Sequence, residues 1–544
     1  MESVQTDSIG RPAFASLRSL LAANVLWIAV VPVIATAGAF LLHQLMAWPP
    51  HEDETLALFV GRDSLGGVIE HVTRERGGAP LHFILAWLVA HAGLGLGGLR
   101  LLSVAFALGS LPLVALLGRR AAGTLAGVIA TAIVACSWMF LFHGVYGRMY
   151  SLFLFLSLAS LLTLFRALDR GGRTWAWWVT AILLTIAAHP YGVLFAAGQG
   201  LFVLLGRRDR LQGALRAGGA VLVLGTPFWL TDLVLAGRFE VGVGGGGANL
   251  GGPLSVAEYF WHTVGDFTTG SWPMLAGILA LAGIGLWTVQ RDARLLALCV
   301  GGVPALAFLA ARLGGSASPE SRHLIFVLPL FGVLVAAGLA RTARRSPAIA
   351  IVFVGALLAT EVAWAWHRTP PLFEWEPDLR QTARAEAEAY LASTSRPDDV
   401  LFGYEPLYLG AWERNPAFPR TVVPRADARL ALRVLQRQTP VGRGIWVLDA
   451  SERNNLKPRL DIQARDPGPP GAFEIRAFGP FLVLRSREPA ETPDRYLFLA
   501  GQAMRLGRAL GIGDADVNLL TTERAYRELR ASGRSLSFRS SSSR

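Results

Sequence analysis

His51-Glu52-Asp53-Glu54 places three carboxylates and an imidazole immediately after the first apolar segment of the chain. An isolated charge inside a bilayer costs several kcal/mol or more, so this cluster belongs in water at a membrane surface. There it is either a solvated loop or a site for proton transfer. Further along, histidine, tyrosine and arginine recur at the ends of apolar runs: His143 to Tyr150 with Arg148, His189-Pro190-Tyr191, Glu258 to Asp266, and Glu320 to His323 with Arg322. Arginine presents a planar fork of donors that suits a phosphate or carboxylate; at the end of a span it also commonly snorkels to the interface. His189 and His323 offer donors to an anion or a sugar, and either could equally be a structural histidine.

The elements that carry these residues are set by composition. The chain has 544 residues, 52% hydrophobic and 17% charged, with a mean hydropathy of +0.42. Such a chain is a polytopic membrane protein and not an ordinary soluble enzyme. Its net charge of +12 comes from arginine, with Lys457 the single lysine. The arginines lie in short loops between apolar runs, which speaks for membrane topology and against nucleic-acid binding. Cys136 and Cys299 fall within apolar runs and suggest neither a disulfide framework nor a metal site. The first apolar run, Leu20 to Met46, is longer than a signal-peptide core and reads as an anchor.

Apolar periodicity predicts about eleven spanning helices, near 20–46, 99–118, 121–142, 150–167, 174–189, 191–206, 213–235, 273–290, 294–312, 323–340 and 347–366. Pro80 to Ala92 is too short to span and reads as a re-entrant or interfacial helix. With that topology the ends carrying Arg11 to Arg18, Arg119 to Arg120, Arg166 to Arg173, Arg207 to Arg216, Arg291 to Arg294 and Arg341 to Arg345 share one side. They hold sixteen arginines against eight on the other side. The richer side is cytoplasmic by the positive-inside rule, and the residues capable of chemistry then collect on the outer face. No Walker A or Rossmann fingerprint occurs in a suitable context. The long outer loop from Gly237 to Ser271, with its glycine run 242–247, reads either as a flexible connector or as a lid over a bound substrate. Tyr259, His262 and Asp266, with Trp261, would lie beneath that lid.

Composition changes at His367. An amphipathic helix, Asp378 to Ser393, short buried strands at Asp399 to Gly403 and Gly444 to Asp449 with a helix Ala426 to Gln438 between them, and a hairpin over 472–485 predict an extracytoplasmic α/β domain. The expected division is a transmembrane domain 1–366, the α/β domain 367–490, and a helical segment with a disordered tail 491–544, making the fold mainly α.

Asp53-Glu54 after the first span, Ala79-Pro80-Leu81, Leu99-Arg100-Leu101-Leu102-Ser103, Gly118-Arg119-Arg120, Gly147-Arg148-Met149-Tyr150-Ser151-Leu152 and Arg322-His323-Leu324 through Pro329 resemble, in order and spacing, the C-type membrane glycosyltransferases. Among these the chain is similar to the protein mannosyltransferase and aminoarabinose transferase relatives and to bacterial membrane-bound mannosyltransferases. The resemblance covers roughly residues 20 to 410. It implies transfer of a sugar from a polyprenyl-phosphate donor to a hydroxyl of a lipid, glycan or protein acceptor, with inversion, at the extracytoplasmic face of a bacterial plasma membrane. It also implies Asp53 as the general base, with Glu54 beside it orienting a loop or a substrate hydroxyl and Glu52 as the alternative base. Arg148, Arg322, His189, Tyr191 and His323 would bind the donor phosphate or sugar. Some C-type enzymes use a divalent cation, but no ligand spacing here specifies a metal site. Two departures stand out: Gly77-Gly78-Ala79-Pro80 lacks the charge and second proline common in relatives, and Tyr146-Gly147 replaces the glutamate that often precedes Arg-Met-Tyr. Two other readings compete, a polytopic transporter or lipid flippase and a membrane scaffold for the C-terminal domain.

Overall fold

The computed structural model describes residues 11–239, 253–313, 320–425, 427–451, 456 and 471–531. The glycine run 242–247 and the tail after 531 lie outside them. Helix α1 spans Arg11–His43, followed by three short helices, α2 Glu52–Gly61, α3 Leu65–Glu70 and α4 Pro80–His91. The bundle continues with α5 Gly95–Ala122, α6 Thr124–Cys136, α7 Trp138–Val145, α8 Tyr150–Arg170, α9 Thr174–Ala188, α10 Gly192–Gly206, α11 Leu211–Leu224 and α12 Thr226–Phe239. It closes with α13 Pro253–Phe267, α14 Trp272–Thr288, α15 Arg291–Leu313, a 3-10 segment Ser321–Val327 leading into α16 Leu328–Ala343, and α17 Pro347–Arg368.

Each of the eleven predicted segments is helical, but not each is one straight span. Among the described residues five helices are long and apolar enough to cross a bilayer, and up to eight spans result if each bent pair counts as one. The bends have local causes. Ser137 adopts extended backbone between α6 and α7, and the two axes meet at 59°. Gly225, followed closely by Pro227, turns α11 into α12 by 60°. The latter half of the predicted outer loop is helical, with α13 meeting α14 at 87°. The 15-residue helices α9 and α10 rise only about 22 Å each, less than the roughly 30 Å hydrocarbon thickness. Large apolar side chains such as Trp287, Val352 and Ile28 are more than two-thirds exposed on the bundle surface, as a multi-pass membrane protein requires.

The rest of the chain follows α17: α18 Pro371–Glu374, α19 Asp378–Thr394, β1 Val400–Phe402, α20 Pro406–Arg414, β2 Val422–Val423, α21 Ala428–Arg437, β3 Gly444–Asp449, β4 Phe473–Phe478, β5 Phe481–Ser486, α22 Pro493–Ala509 and α23 Ala515–Ala531. The five strands form one sheet in the order β2-β1-β3-β5-β4. β1 runs parallel to β2 and β3, while β5 pairs antiparallel with β3 and β4. The central strands β1 and β3 are buried except for Asp449 at the end of β3, because α19 and α20 cover one face and α21 and α22 the other.

One hydrophobic core joins this sheet to the helices near the amino terminus. Leu56, Phe59, Val68, Phe83 and Leu99 pack with Ala387, Leu401, Tyr408, Trp412 and Val483. Phe59 meets Trp412 edge-on at 4.4 Å between ring centroids, and Glu75 pairs with Arg437 across the seam.

Within the bundle, α14 and α16 approach at two glycines. A Cβ on Gly285 would lie 1.8 Å from the Leu334 carbonyl oxygen, and one on Gly338 would lie 2.2 Å from that of Leu281. Gly285→Ala is therefore expected to lower stability by about 1–3 kcal/mol through overpacking, read as a lowered unfolding midpoint in detergent. The same substitution at Gly283, where a Cβ meets nothing within 4 Å, should leave the midpoint in place.

Candidate active site

The site is built on an ion pair that itself does no chemistry. Glu54 and Arg100 are both fully buried. Arg100 Nε and Nη2 donate to Glu54 Oε1 and Oε2 at 2.8 and 2.7 Å. Its remaining N–H groups donate to the carbonyls of Leu45, Trp48 and Pro49, so all five guanidinium hydrogens are used. Glu54 also accepts from the backbone N–H of Gly147 at 2.7 Å and of His51 at 3.0 Å. The last bond closes a capping box at the start of α2, in which His51 Nδ1 accepts from Asp53 N. Every acceptor position of Glu54 is thereby filled: of the two roles expected for it, orienting a loop or a substrate hydroxyl, its bonds serve the first, tying the start of α2 to the turn at Gly147. A Cβ on Gly147 would come within 2.9 Å of Glu54 Oε1, which accounts for glycine where relatives of the resembled family carry glutamate.

With Glu54 turned inward, Asp53 faces the other way on α2, and its side chain is 28% exposed. Tyr146 donates its hydroxyl to Asp53 Oδ2 at 3.0 Å, and the same hydroxyl lies 2.9 Å from His51 Nδ1. Arg148 Nε is 3.6 Å and Arg322 Nη1 4.0 Å from that carboxylate oxygen. Arg322 also pairs with Glu320 at 2.6 Å. Burial pushes the Asp53 carboxyl up, but Arg148, His51, Arg322 and the Tyr146 hydrogen bond outweigh it and hold the group below the ordinary carboxylate range. Burial and the neighbouring Asp53 charge push the Tyr146 phenol well above its ordinary value, so it remains a donor.

Beyond the arginines lies a wall of rings. His323 stacks on Tyr191 at 5.3 Å and lies 5.4 Å from His189. Tyr150 sits between His143 and His323, with Arg322 over its face at 5.6 Å. Asp53, Arg148, Arg322, His189, Tyr191 and His323 thus converge from four separate parts of the chain. Glu52 is partly exposed and lies 3.9 Å from Arg425 of the C-terminal part.

The residues expected beneath a lid lie on α13, which packs against the 3-10 segment carrying Arg322 and His323. Asp266 is buried and fastens α13 to the 3-10 segment, accepting from Ser321 Oγ at 2.7 Å and pairing with Arg368 at 3.2 Å. His262 is exposed and faces Glu258, and Trp261 stacks on Trp272. Tyr259 lies on α13, its side chain outside the described residues.

Two contributors escaped sequence reasoning. Tyr146 was legible only as the residue two before Arg148. His82, one turn into α4, is buried with Nε2 lacking a hydrogen-bond partner and feels the charges of Arg148 and Asp53; a histidine soon after Pro80 was its only signal. Among the described residues no three His, Cys, Asp or Glu side chains could hold a metal ion. Two guanidinium groups already face Asp53, so the donor set does not fit a divalent cation.

No protein-family model and no curated protein matches the chain. Solved structures do. The crystal structure of ArnT from Cupriavidus metallidurans in the apo state superposes with a TM-score of 0.52 at 15% identity, covering 85% of this chain and 98% of that one. The chain therefore has the fold of the C-type membrane glycosyltransferases. ArnT from the same organism bound to undecaprenyl phosphate gives a TM-score of 0.49 at 15% identity, over 84% of this chain and 97% of that one. The Archaeoglobus fulgidus oligosaccharyltransferase with zinc and sulfate gives 0.48 at 14% identity, over 76% and 67%. Neither adds weight to the fold assignment.

Breaking one half of a buried, fully bonded ion pair leaves an uncompensated charge. Arg100→Leu is expected to cost about 3–5 kcal/mol. The Glu54→Leu/Arg100→Leu double variant should recover part of that loss, and paired denaturation curves would read the difference.

Proposed function

We propose that this chain is an integral membrane glycosyltransferase. It moves a sugar from a polyprenyl-phosphate donor to an acceptor hydroxyl at the extracytoplasmic face of a bacterial plasma membrane, with inversion, and Asp53 is its general base. The observation that carries the proposal is a partly exposed carboxylate with two guanidinium groups within 4.0 Å, at the end of a bundle with the C-type fold. The acceptor hydroxyl is a weak nucleophile. Asp53 takes its proton as the acceptor oxygen bonds to C1 of the sugar, the bond from C1 to the phosphate oxygen breaks, and its electron pair leaves on the polyprenyl phosphate. That leaving group is already anionic, so Arg148 and Arg322 stabilise it by charge and hydrogen bonding. The ring wall of Tyr150, His189, Tyr191 and His323 frames the sugar.

The electrostatics supply a link between donor and base. Without a donor, the arginines depress the proton affinity of Asp53. A donor phosphate that engages them withdraws their charge from Asp53 and raises its proton affinity, so the base strengthens when the donor is seated. Mannose is the sugar that the resembled bacterial enzymes suggest, and the division at residue 367 would let the C-terminal part select the acceptor.

One observation favours the alternative of a polytopic transporter or flippase. Glu361 in α17 is fully buried, and neither carboxylate oxygen has a hydrogen-bond partner; intramembrane acids of this kind mark transport pathways in other proteins. The residues of the proposed site nevertheless sit at helix ends, at or just before the starts of α2, α8 and α10 and in the 3-10 segment before α16, whereas Glu361 lies within α17. Transporters place their ionisable groups near the midplane.

Purified protein should transfer radiolabelled sugar from at least one member of a panel of polyprenyl-phosphate sugars. Asp53→Asn should reduce kcat by about 10²–10⁴-fold without loss of folded protein. Transfer that survives in Asp53→Asn would remove Asp53 as the base, and lipid movement in liposomes without any transfer would overturn the proposal. In the wild type, the acid limb of kcat/KM, which reports the free enzyme, should lie below the ordinary aspartate range. The acid limb of kcat, which reports the donor complex, should lie at higher pH.

A further inference from the structure

A polar cavity lies at the seam where the amino-terminal helices meet the C-terminal part. Its volume is about 230 Å³, and Phe59, Arg62, Asp63, His71, Trp412 and Arg420 contribute to its lining. It is smaller than the roughly 300–1,000 Å³ of pockets that enclose drug-sized ligands, so it takes one small group and not a lipid chain. The Arg62 guanidinium lies 4.1 Å over the Trp412 ring, and that of Arg420 lies 5.9 Å from the same ring. Among the described residues neither has an acidic side chain within ion-pair distance, although most arginines at this end of the protein are paired. Burial and the neighbouring Arg420 charge lower the proton affinity of Arg62, and Glu413 offsets this in part. Two like charges lie against one ring with Glu413 offsetting them only in part, and an anion between them relieves the repulsion. Asp63 at the rim accepts the Ser64 N–H with Oδ1 and has a second oxygen suited to a hydroxyl donor. Donor forks for an anion beside an acceptor for hydroxyls describe a charged sugar.

We infer that this cavity binds the anionic substituent, carboxylate or phosphate, of a sugar unit in the acceptor. Only the word acceptor rests on the transferase reading; the binding site stands on its own geometry. The cavity and Asp53 sit at opposite ends of α2, nine residues apart, which at 1.5 Å per residue is roughly 14 Å along the helix. The acceptor hydroxyl can therefore lie at Asp53 while a charged unit further along the same molecule is held by Arg62 and Arg420.

The test uses the full chain in detergent, with glucuronate, glucose 1-phosphate, glucose and inorganic phosphate as probes and saturation-transfer NMR as the readout. Both anionic sugars should bind at least about ten-fold more tightly than glucose, the gain of one charge-assisted contact. Arg420 is exposed, so Arg420→Gln should leave packing intact and weaken the anionic sugars by a similar factor. Arg62→Gln should do the same, and Asp53→Asn should bind them as the wild type does. Glucose binding as well as glucuronate, or unchanged affinity in both arginine variants, would overturn the inference. Inorganic phosphate binding as tightly as glucose 1-phosphate would reduce the cavity to an anion hole and overturn the sugar assignment. Arginine-dependent binding of anionic sugars in a protein that transfers no sugar would sink the transferase reading and leave the site standing.

Discussion

The buried pair of Glu54 and Arg100 is the contact on which the geometry of the site depends. A charge pair with no solvent contact is tolerated only when every lone pair and hydrogen is used, and here each is. The bonds run to the segment between α1 and α2, to the start of α2 and to the turn carrying Gly147. Because Asp53 precedes Glu54 and Arg148 follows Gly147, one buried pair fixes the two residues that face each other across the site. The acid that looks most ready for chemistry beside Asp53 is spent on holding Asp53 in place.

A second constraint is the balance of charge around Asp53. Burial alone would make that carboxyl a weak acid, and the arginines reverse the sign of the shift. The same arginines are the only strong anion ligands in the convergent group, so whatever anion binds them alters the carboxylate that they surround. Glu320 adds a competing partner for Arg322, which keeps that guanidinium from locking onto Asp53.

How much of this was legible in the sequence follows from the physics of each feature. The helices of the bundle could be read because lipid demands long apolar runs, and β3 and the β4–β5 hairpin because buried strands and alternation are local patterns. The bends at Ser137 and Gly225 were not, since one polar or small residue within an apolar run does not announce whether the helix continues. The convergence of Asp53, Arg148, Arg322, His189 and His323 was approached through the succession of motifs, and so was the division of roles between Asp53 and Glu54, but the partner that Glu54 takes was not legible. Adjacent residues on a helix point about 100° apart, and only the position of Arg100 decides which one turns inward. α20 and β2 escaped notice because a nine-residue helix and a two-residue strand carry too little periodicity to stand out.

The core shared by α2, α4 and the C-terminal sheet has a consequence for biogenesis. Phe59, Phe83 and Leu99 are synthesised some three hundred residues before Leu401, Trp412 and Val483, which cover them. At roughly 5–20 residues per second, the early helices wait about 15–60 s with an apolar face unmatched. Over that interval a chaperone or the lipid interface must shelter them, so the last-made part of the chain completes the packing of the first-made helices.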